Sequence, residues 1–344
     1  MPRKWIAKRI AELDPATDYD EIWKLSSCYR PNDFMMNLVY AVTFPHFIIR
    51  RSGSRPVHRD GKGKVYTAPD TRADNTSWKM QHWWHHGSSA PETRKNIEAL
   101  NRLHAYYAKN YPDSGFADDN EYMYTLCYEA AGLHRMMRRV GLPGISENEQ
   151  LAAVEYWKRV TPLFTNVVTG QSIGNYPETF DGVMEWMDRW EADAAANAPR
   201  NDEGRAVTDA IIGQFANKYF PKPLHGVVRA WILSLYPDHL IRIYGYERPH
   251  PLAVRALRLM TAAIFALGEK VAPDPTDTFT ERRQARKAAE RAALKAASGT
   301  AAEDPDEEAL QYAQRASSAQ GGARCPYAAQ GDRRRAEAEP LATS

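Results

Sequence analysis

The sequence of 344 residues has little of what marks several large protein classes. Its three cysteines, Cys28, Cys127 and Cys325, are few and far apart, which argues against a disulfide framework and favours a reducing compartment. It also lacks an excess of either charge, since 45 basic and 43 acidic residues give a net charge of +2. The charge balance therefore does not favour nucleic acid as a partner. We therefore expect a cytoplasmic globular protein that binds no nucleic acid.

Long apolar runs are absent as well. The N-terminal segment MPRKWIAKRIAELDP is interrupted by charged residues, so it predicts a short amphipathic helix rather than a signal peptide. The most apolar windows, 225–237 and 251–268, are interrupted by arginines and do not reach about 20 uninterrupted apolar residues. We interpret both as core helices, with a membrane-surface helix as the alternative.

Common catalytic signatures are missing too. The sequence has no Walker A pattern, no GxGxxG after a strand, no GxSxG elbow and no HExxH. The usual nucleotide-binding, serine-hydrolase and zinc-protease functions therefore lack the residues that they need.

What the sequence has is helical periodicity, with apolar residues three and four apart and no long strand-like alternation. Ser146 followed by Glu149, and Asp118 followed by Glu121, are typical of capped helix starts. We predict an all-α, single-domain fold with helices over 18–29, 32–50, 75–86, 91–110, 118–139, 146–161, 178–196, 202–219, 223–235 and 251–269.

Two polar regions stand apart from these helices. Residues 50–74 are predicted to form a long polar loop, which is often functional in a compact domain. Tryptophans stop at Trp231, so we place a folded domain over 1–270 and a low-complexity charged tail over 271–344. Within this tail, residues 280–297 predict a solvated helix, and the residues after it are predicted to be disordered.

His104 is the first candidate for chemistry, because it lies on the apolar stripe of a predicted helix. Ile97, Leu100, Tyr107 and Tyr111 share its face, so its side chain should point inward. A buried histidine is most simply a core residue whose ring nitrogens are hydrogen-bonded. The alternative is a neutral imidazole that binds haem iron, with its second nitrogen held by a neighbouring group.

Three further patterns allow a bland and a functional interpretation. His82, His85 and His86 can share a helix face and bind zinc or copper, or simply end an aromatic helix. Arg72 and Thr76 are four residues apart at a predicted junction between loop and helix, where Asp74 or Asn75 can act as the cap. Arg72 could instead reach an anionic group while Thr76 offers a hydroxyl to a ligand.

An apolar stripe on the next predicted helix indicates either core or an apolar pocket, and it consists of Tyr122, Tyr124, Tyr128, Met123, Met136 and Met137. The same helix ends in three cations, Arg135, Arg138 and Arg139, which suit a helix C-terminus or contact with a lipid headgroup.

In order along the chain, the segments LDPATDYDEIWKL, NLVYAVTF, TRADNT, NRLHAYY, DNEYMYTLCYEA, GISENEQLAAVEYWKRV and LYPDHLIRIYG resemble one family over residues 11–270. It is the haem-dependent oxygenase family that contains the bacterial rubber oxygenases (latex clearing proteins) and the fungal MpaB-type oxygenases. The sequence is more similar to the MpaB-type branch.

The resemblance implies an all-α fold with a globin-like core around haem b, and the use of dioxygen to cleave carbon–carbon double bonds. It further implies that His104 is the proximal iron ligand and that Arg72 and Thr76 hold the haem and shape its distal side. Two departures concern the substrate. Asn75 stands where rubber oxygenases have a distal lysine, and their glutamate base has no clear match, Asp60 and Asp70 being only nearby carboxylates.

We therefore expect a haem b-dependent oxygenase that acts with dioxygen on a small apolar, isoprenoid or lipid-like, substrate. It would be cytoplasmic or peripheral to a membrane through loose surface association, and its oligomeric state is left open. The alternatives are a haem-binding sensor or carrier without turnover, a helical binding protein without haem, and a non-haem metal enzyme built on His82, His85 and His86.

Overall fold

The computed structural model describes residues 3–298, and over this range the chain is helical with no strand beyond one isolated bridge between Thr165 and Ser172. The predicted all-α fold is thus confirmed. The α-helices are α1 Trp5–Glu12, α2 Tyr19–Cys28, α3 Asp33–Phe47, α4 Arg51–His58, α5 Lys64–Thr67, α6 Pro69–His86, α7 Pro91–Asn110, α8 Asp119–Arg139, α9 Glu147–Val160, α10 Phe180–Asn197, α11 Asp202–Tyr219, α12 His225–Leu235, α13 Asp238–Ile243, α14 Pro251–Lys270 and α15 Phe279–Ser298.

Helix starts follow local capping chemistry. Ser146 and Glu149 form the predicted reciprocal capping box of α9, and Asp118 caps α8 by accepting from the amide of Asn120. Thr179 and Asn201 cap α10 and α11 in the same way. Because these caps involve residues close in sequence, the starts of these helices could be predicted to within two residues.

The core is centred on α8. Its tyrosines and methionines are buried, as predicted, and Tyr124 stacks on Trp190 of α10 with ring centroids 3.8 Å apart. Trp23 of α2 packs against Tyr156 and Trp157 of α9, which joins the N-terminal helices to the same core. Whether this core is globin-like stays an expectation from the resemblance.

The predicted loop over 50–74 is wrong, because these residues form α4, a 3₁₀ turn (Arg59–Gly61), α5 and the start of α6. α4, the 3₁₀ turn and α5 are short and polar, so they show no apolar periodicity in the sequence. They are held by α11: the side-chain amide of Asn201 donates to the carbonyls of Ile48 and Ile49, and its oxygen accepts from Ser54. Arg59 and Asp60 adopt left-handed conformations where the chain reverses.

Of the two apolar windows, the first forms the buried α12, whereas the second, α14, is not a core helix. Thr261 is its only buried residue, and α14 is the one helix of the described residues that is long and apolar enough to cross a membrane. The prediction of a core helix was wrong because an apolar composition does not show whether anything packs on the outer face of a helix.

Residues beyond 270 also pack on the fold, since one compact unit extends over Met1–Ala293. The Asp274 carboxylate accepts from the Ile6 amide and from Arg30, and Arg282 donates to the Tyr29 and Pro31 carbonyls. The predicted helix over 280–297 is present as α15, but its first two residues, Phe279 and Thr280, are buried rather than solvated. The division into a catalytic domain of 1–270 and a tail stays a prediction, and the predicted disorder and Cys325 lie outside the described residues.

Candidate functional site

One face of α6 carries three polar side chains, Arg72, Thr76 and Lys79, spaced by four and three residues. Arg72 and Thr76 are not at a junction between loop and helix, because α6 already begins at Pro69 and has no side-chain cap. The Arg72 guanidinium donates to the Thr76 hydroxyl, which itself donates to the Arg72 carbonyl at 3.0 Å. Asp74 and Asn75 therefore lie inside the helix and do not cap it, and Arg72 is partly buried rather than solvated as the bland interpretation required.

The Arg72 guanidinium lies over an aromatic floor provided by α3. Its central carbon is 4.8 Å from the ring centroid of Phe44 and 5.9 Å from that of Tyr40. The Tyr40 hydroxyl is buried without a hydrogen-bond partner, and burial raises its pKa although the charge of Arg72 opposes the rise. Arg72 thus forms no ion pair with a carboxylate of the described residues, and its charge is available to an anionic group.

His104, on α7, lies partly buried between α7 and α8. Its ring stacks on Phe116 with centroids 4.4 Å apart, and its Nδ1 lies 3.3 Å from the hydroxyl of Tyr122. When Nδ1–H donates to this hydroxyl, the lone pair of Nε2 is left free for a ligand. The side chain points inward, as the helical stripe predicted.

Burial, and after it the charge of Lys79, lowers the pKa of His104 to about 3. The imidazole is therefore neutral at physiological pH, which is the form that binds metals. Lys79 is itself affected, since burial and then the charges of Arg72 and Lys64 lower its pKa. These interactions place His104, Lys79 and Arg72 in one electrostatic neighbourhood between α6 and α7.

Sequence reasoning missed Lys79, although its spacing from Arg72 and Thr76 was a usable signal. It also left Asp60 and Asp70 as nearby carboxylates, and both are engaged elsewhere. Asp60 is paired with Arg55, and Asp70 accepts from Gln214 on α11. The structure gives neither of them a place beside His104.

The second sequence candidate, the histidines at the end of α6, does not form a compact ligand set. His82 and His86 contact each other with ring centroids 4.4 Å apart, whereas Nδ1 of His85 lies 3.1 Å from the Thr278 hydroxyl. Burial first, with smaller contributions from neighbouring charges, lowers the pKa values of His82 and His85 to about 4. Their ligand atoms do not meet as a trio among the described residues, so the packing interpretation fits better.

A buried cluster that the sequence did not reveal lies where α3, α8, α10 and α13 meet. His46, Glu191 and His239 bring one ligand atom each within 4.8 Å of the others, the only such group among the described residues. The Tyr124 hydroxyl donates to Glu191 at 2.8 Å and lies 3.2 Å from Nδ1 of His46. His46, Glu191 and His239 are 48 to 193 positions apart in the sequence, so only the fold brings them together.

Comparison with known proteins adds an assignment of family. A search of curated proteins found no match. The sequence model of one protein family, described as "ER-bound oxygenase mpaB/B'/Rubber oxygenase, catalytic domain", matches residues 51–266. This stretch covers more than half of the 344 residues and contains Arg72, Thr76, Lys79 and His104. Of the buried cluster, it contains Glu191 and His239 but not His46. The chain therefore belongs to the oxygenase family of mpaB/B′ and the rubber oxygenases.

Proposed function

We propose that this protein is a haem b-dependent oxygenase and that His104 is the axial ligand of the iron. The observation that carries the proposal is the state of His104. It is a neutral, inward-pointing imidazole. Its Nδ1 is held by the Tyr122 hydroxyl, and its Nε2 has no hydrogen-bond partner among the described residues. This is the arrangement by which proteins present histidine to haem iron.

The other side chains near His104 fit the same group. Haem b carries two propionates on an apolar ring, and the site offers one unpaired guanidinium, Arg72, over the aromatic rings of Phe44 and Tyr40. Arg72 would hold a propionate, Thr76 would offer its hydroxyl on the distal side, and Tyr122 would orient His104. When bound, haem would supply the activation of dioxygen, while these residues bind, orient and exclude water.

The substrate class follows from the family and from the apolar surroundings. We propose a small apolar, isoprenoid or lipid-like, substrate that is oxidised or cleaved with dioxygen. Asn75 at the position of the rubber-oxygenase lysine argues for a substrate other than polyisoprene. A sensor or carrier would share the haem but would not turn over, so oxygen consumption in excess of enzyme with a lipid or isoprenoid mixture distinguishes the two.

The axial assignment is tested by the visible spectrum of protein purified after haem-replete expression. We expect a Soret band in the wild-type protein and its loss or a large shift in His104→Ala. His82→Ala is the matched control, because His82 is also a partly buried histidine with a lowered pKa. The absence of a Soret band in the wild-type protein would contradict haem binding. A band lost only with His82→Ala would move the ligand to the end of α6.

We further propose that the protein associates peripherally with a membrane through the outer face of α14. Most exposed side chains of α14 are apolar and its exposed charges lie near its ends, and Leu224 and Val227 at the start of the adjoining α12 are exposed as well. The exposed large apolar residues are Leu224, Val227, Leu252, Leu259, Met260, Ile264, Leu267 and Val271. Contiguous exposed apolar surface of this kind marks an interaction site.

A bilayer surface fits this face better than a second copy of the chain. The inner face of α14 is fixed to α12 by bonds from Trp231 to Thr261 and from Arg258 to the Ser234 carbonyl, both 2.8 Å. The helix is about 30 Å long and has cationic side chains near its ends, Arg255, Lys270 and the neighbouring Lys222. An apolar ridge with flanking cations is typical of a helix that lies in the interface plane of an anionic membrane.

A further inference from the structure

A small cavity adjoins the buried cluster and lies between α3, α8 and the end of α12. The space open to the centre of a water molecule is about 10 Å³, which is room for about one water-sized species. The polar residues that line the cavity are His46, Tyr128, Arg135 and Arg139, and the remaining lining is apolar. Among the lining atoms, Nη1 of Arg135 is buried without a hydrogen-bond partner. A small molecule or ion in the cavity would supply that partner.

Cationic donors around the cavity outnumber their partners. Arg135 donates through Nη2 to Glu191 at 2.8 Å and lies 3.1 Å from Asp188, but its Nη1 is buried without a partner. The side chain of Arg139 makes no hydrogen bond or ion pair with any described residue, and burial lowers its pKa. One guanidinium is therefore partly unsatisfied and a second is not paired at all.

The imidazoles of the cluster respond to this positive charge. Burial is the largest cause that lowers the pKa of His239 to about 4, and the charges of Arg135 and Arg139 follow. The same two arginines, after burial and His239, lower the pKa of His46. Nε2 of His239 is a further buried atom without a partner. The local field thus disfavours any additional positive charge.

A divalent metal on His46, Glu191 and His239 would be the obvious occupant, but the contacts of Glu191 oppose it. One carboxylate oxygen accepts from Tyr124 and the other from Arg135, so a metal would have to displace both donors. It would also sit beside two guanidinium groups. A neutral water molecule could satisfy single donors but would leave the partly buried charge of Arg139, which no carboxylate of the described residues contacts, without an ionic partner.

We propose that this cavity binds a small monovalent anion of the size of chloride, held by Nη1 of Arg135 and by Arg139. Such an anion forms charge-assisted hydrogen bonds and neutralises the surplus cation. It would stabilise the junction of α3, α8 and α12. This proposal is independent of haem, because none of the residues that bind the anion contacts His104, Arg72 or Thr76.

The proposal is tested by thermal unfolding of the full chain in sodium chloride and in sodium gluconate at equal ionic strength, since gluconate is too large for the cavity. We expect a saturable rise in Tm of a few degrees in chloride. Arg139→Gln should abolish the rise, whereas Arg138→Gln, which changes the exposed neighbouring arginine, should keep it.

Equal responses in both salts, or in both variants, would overturn the proposal. So would a saturable rise in Tm with Zn²⁺ or Mn²⁺ in place of chloride, which would assign the cluster to a metal. If Arg139→Gln does not fold, crystals of the wild-type protein grown in bromide decide the question. An anomalous peak between Arg135 and Arg139 supports the site, and its absence at saturating bromide contradicts it.

Discussion

At the scale of single residues, the surroundings of a histidine decide what it can do. The sequence contains ten histidines, all with the same intrinsic chemistry. His104 has Nδ1 beside a tyrosine hydroxyl, His85 has a threonine, and the Nδ1 of His82 is buried with no partner. Only the first of these combines a held nitrogen with the charge of Lys79, which in turn lies near Arg72, an arginine with no carboxylate partner among the described residues.

Tyr122→Phe removes the hydroxyl that holds Nδ1 of His104 and leaves the aromatic ring in place. We expect haem affinity to fall on the order of tenfold to a hundredfold, because the imidazole loses the group that fixes its tautomer and orientation. Titration of apoprotein with haem, followed at the Soret band, measures the change.

Tyr124→Phe is the matched control for this experiment, because it removes a buried hydroxyl from the same helix without touching His104. It should lower the free energy of unfolding but leave haem affinity near the wild-type value. Equal affinity in the two variants would show that Tyr122 has no role in holding the ligand.

At the scale of elements, α6 and α14 differ most from what their sequences predicted. α6 begins at Pro69, five or six residues before the caps that local rules would choose at Asp74 or Asn75, and this earlier start places Arg72 and Thr76 on one helical face. α14 has the composition of a core helix but only one buried residue. Where α6 begins and how much of α14 is buried both depend on packing against residues that are distant in sequence.

The outer face of α14 gives a direct test of membrane association. The double variant Leu259→Glu with Ile264→Glu places two carboxylates in the proposed contact. We expect flotation with vesicles of phosphatidylcholine and phosphatidylglycerol to fall more than tenfold, since each buried apolar side chain contributes about 1.5–3 kcal/mol. Binding to vesicles of phosphatidylcholine alone should already be weaker for the wild-type protein.

The control double variant, Leu151→Glu with Val168→Glu, changes two exposed apolar residues that lie away from α14. It should float as the wild-type protein does. Equal flotation of the two double variants would exclude α14 as the contact. A wild-type dimer in solution that dissociates with Leu259→Glu and Ile264→Glu would identify a second copy of the chain as the occupant.

At the scale of the whole molecule, buried neutral histidines make stability depend on pH. Burial lowers the pKa values of His104, His82, His85 and His239 to between about 3 and about 4. The unfolded chain takes up these protons near pH 6.5 and the folded chain does not, so stability falls as the pH drops below 6.5. Each group contributes up to about 1.4 kcal/mol per pH unit.

Two carboxyl groups act in the opposite direction but are fewer. Burial raises the pKa of Glu121 to about 7 and that of Glu129 to about 8, so their contribution to stability is lost as the pH rises above about 4.5. We therefore expect the free energy of unfolding of the apoprotein to fall by several kcal/mol between pH 7 and pH 5. Urea unfolding at pH 7, 6 and 5 measures this change.

Single histidine variants separate this cause from general acid denaturation. His104→Gln should make the dependence on pH shallower, whereas His250→Gln, which changes an exposed residue outside this group, should leave it as in the wild-type protein. A slope that is the same for wild-type and both variants would rule out a contribution from His104.

The sequence alone determined most of the long helices, the inward direction of His104 and the family. Each depends on local information: the period of apolar residues, the chemistry of caps such as Ser146 with Glu149, and the order of short motifs. Tertiary structure decided the rest. Tyr122 meets His104 across two helices, His46 meets Glu191 from 145 residues away, and no described residue covers the outer face of α14. Such contacts depend on how helices pack, which a local pattern does not encode.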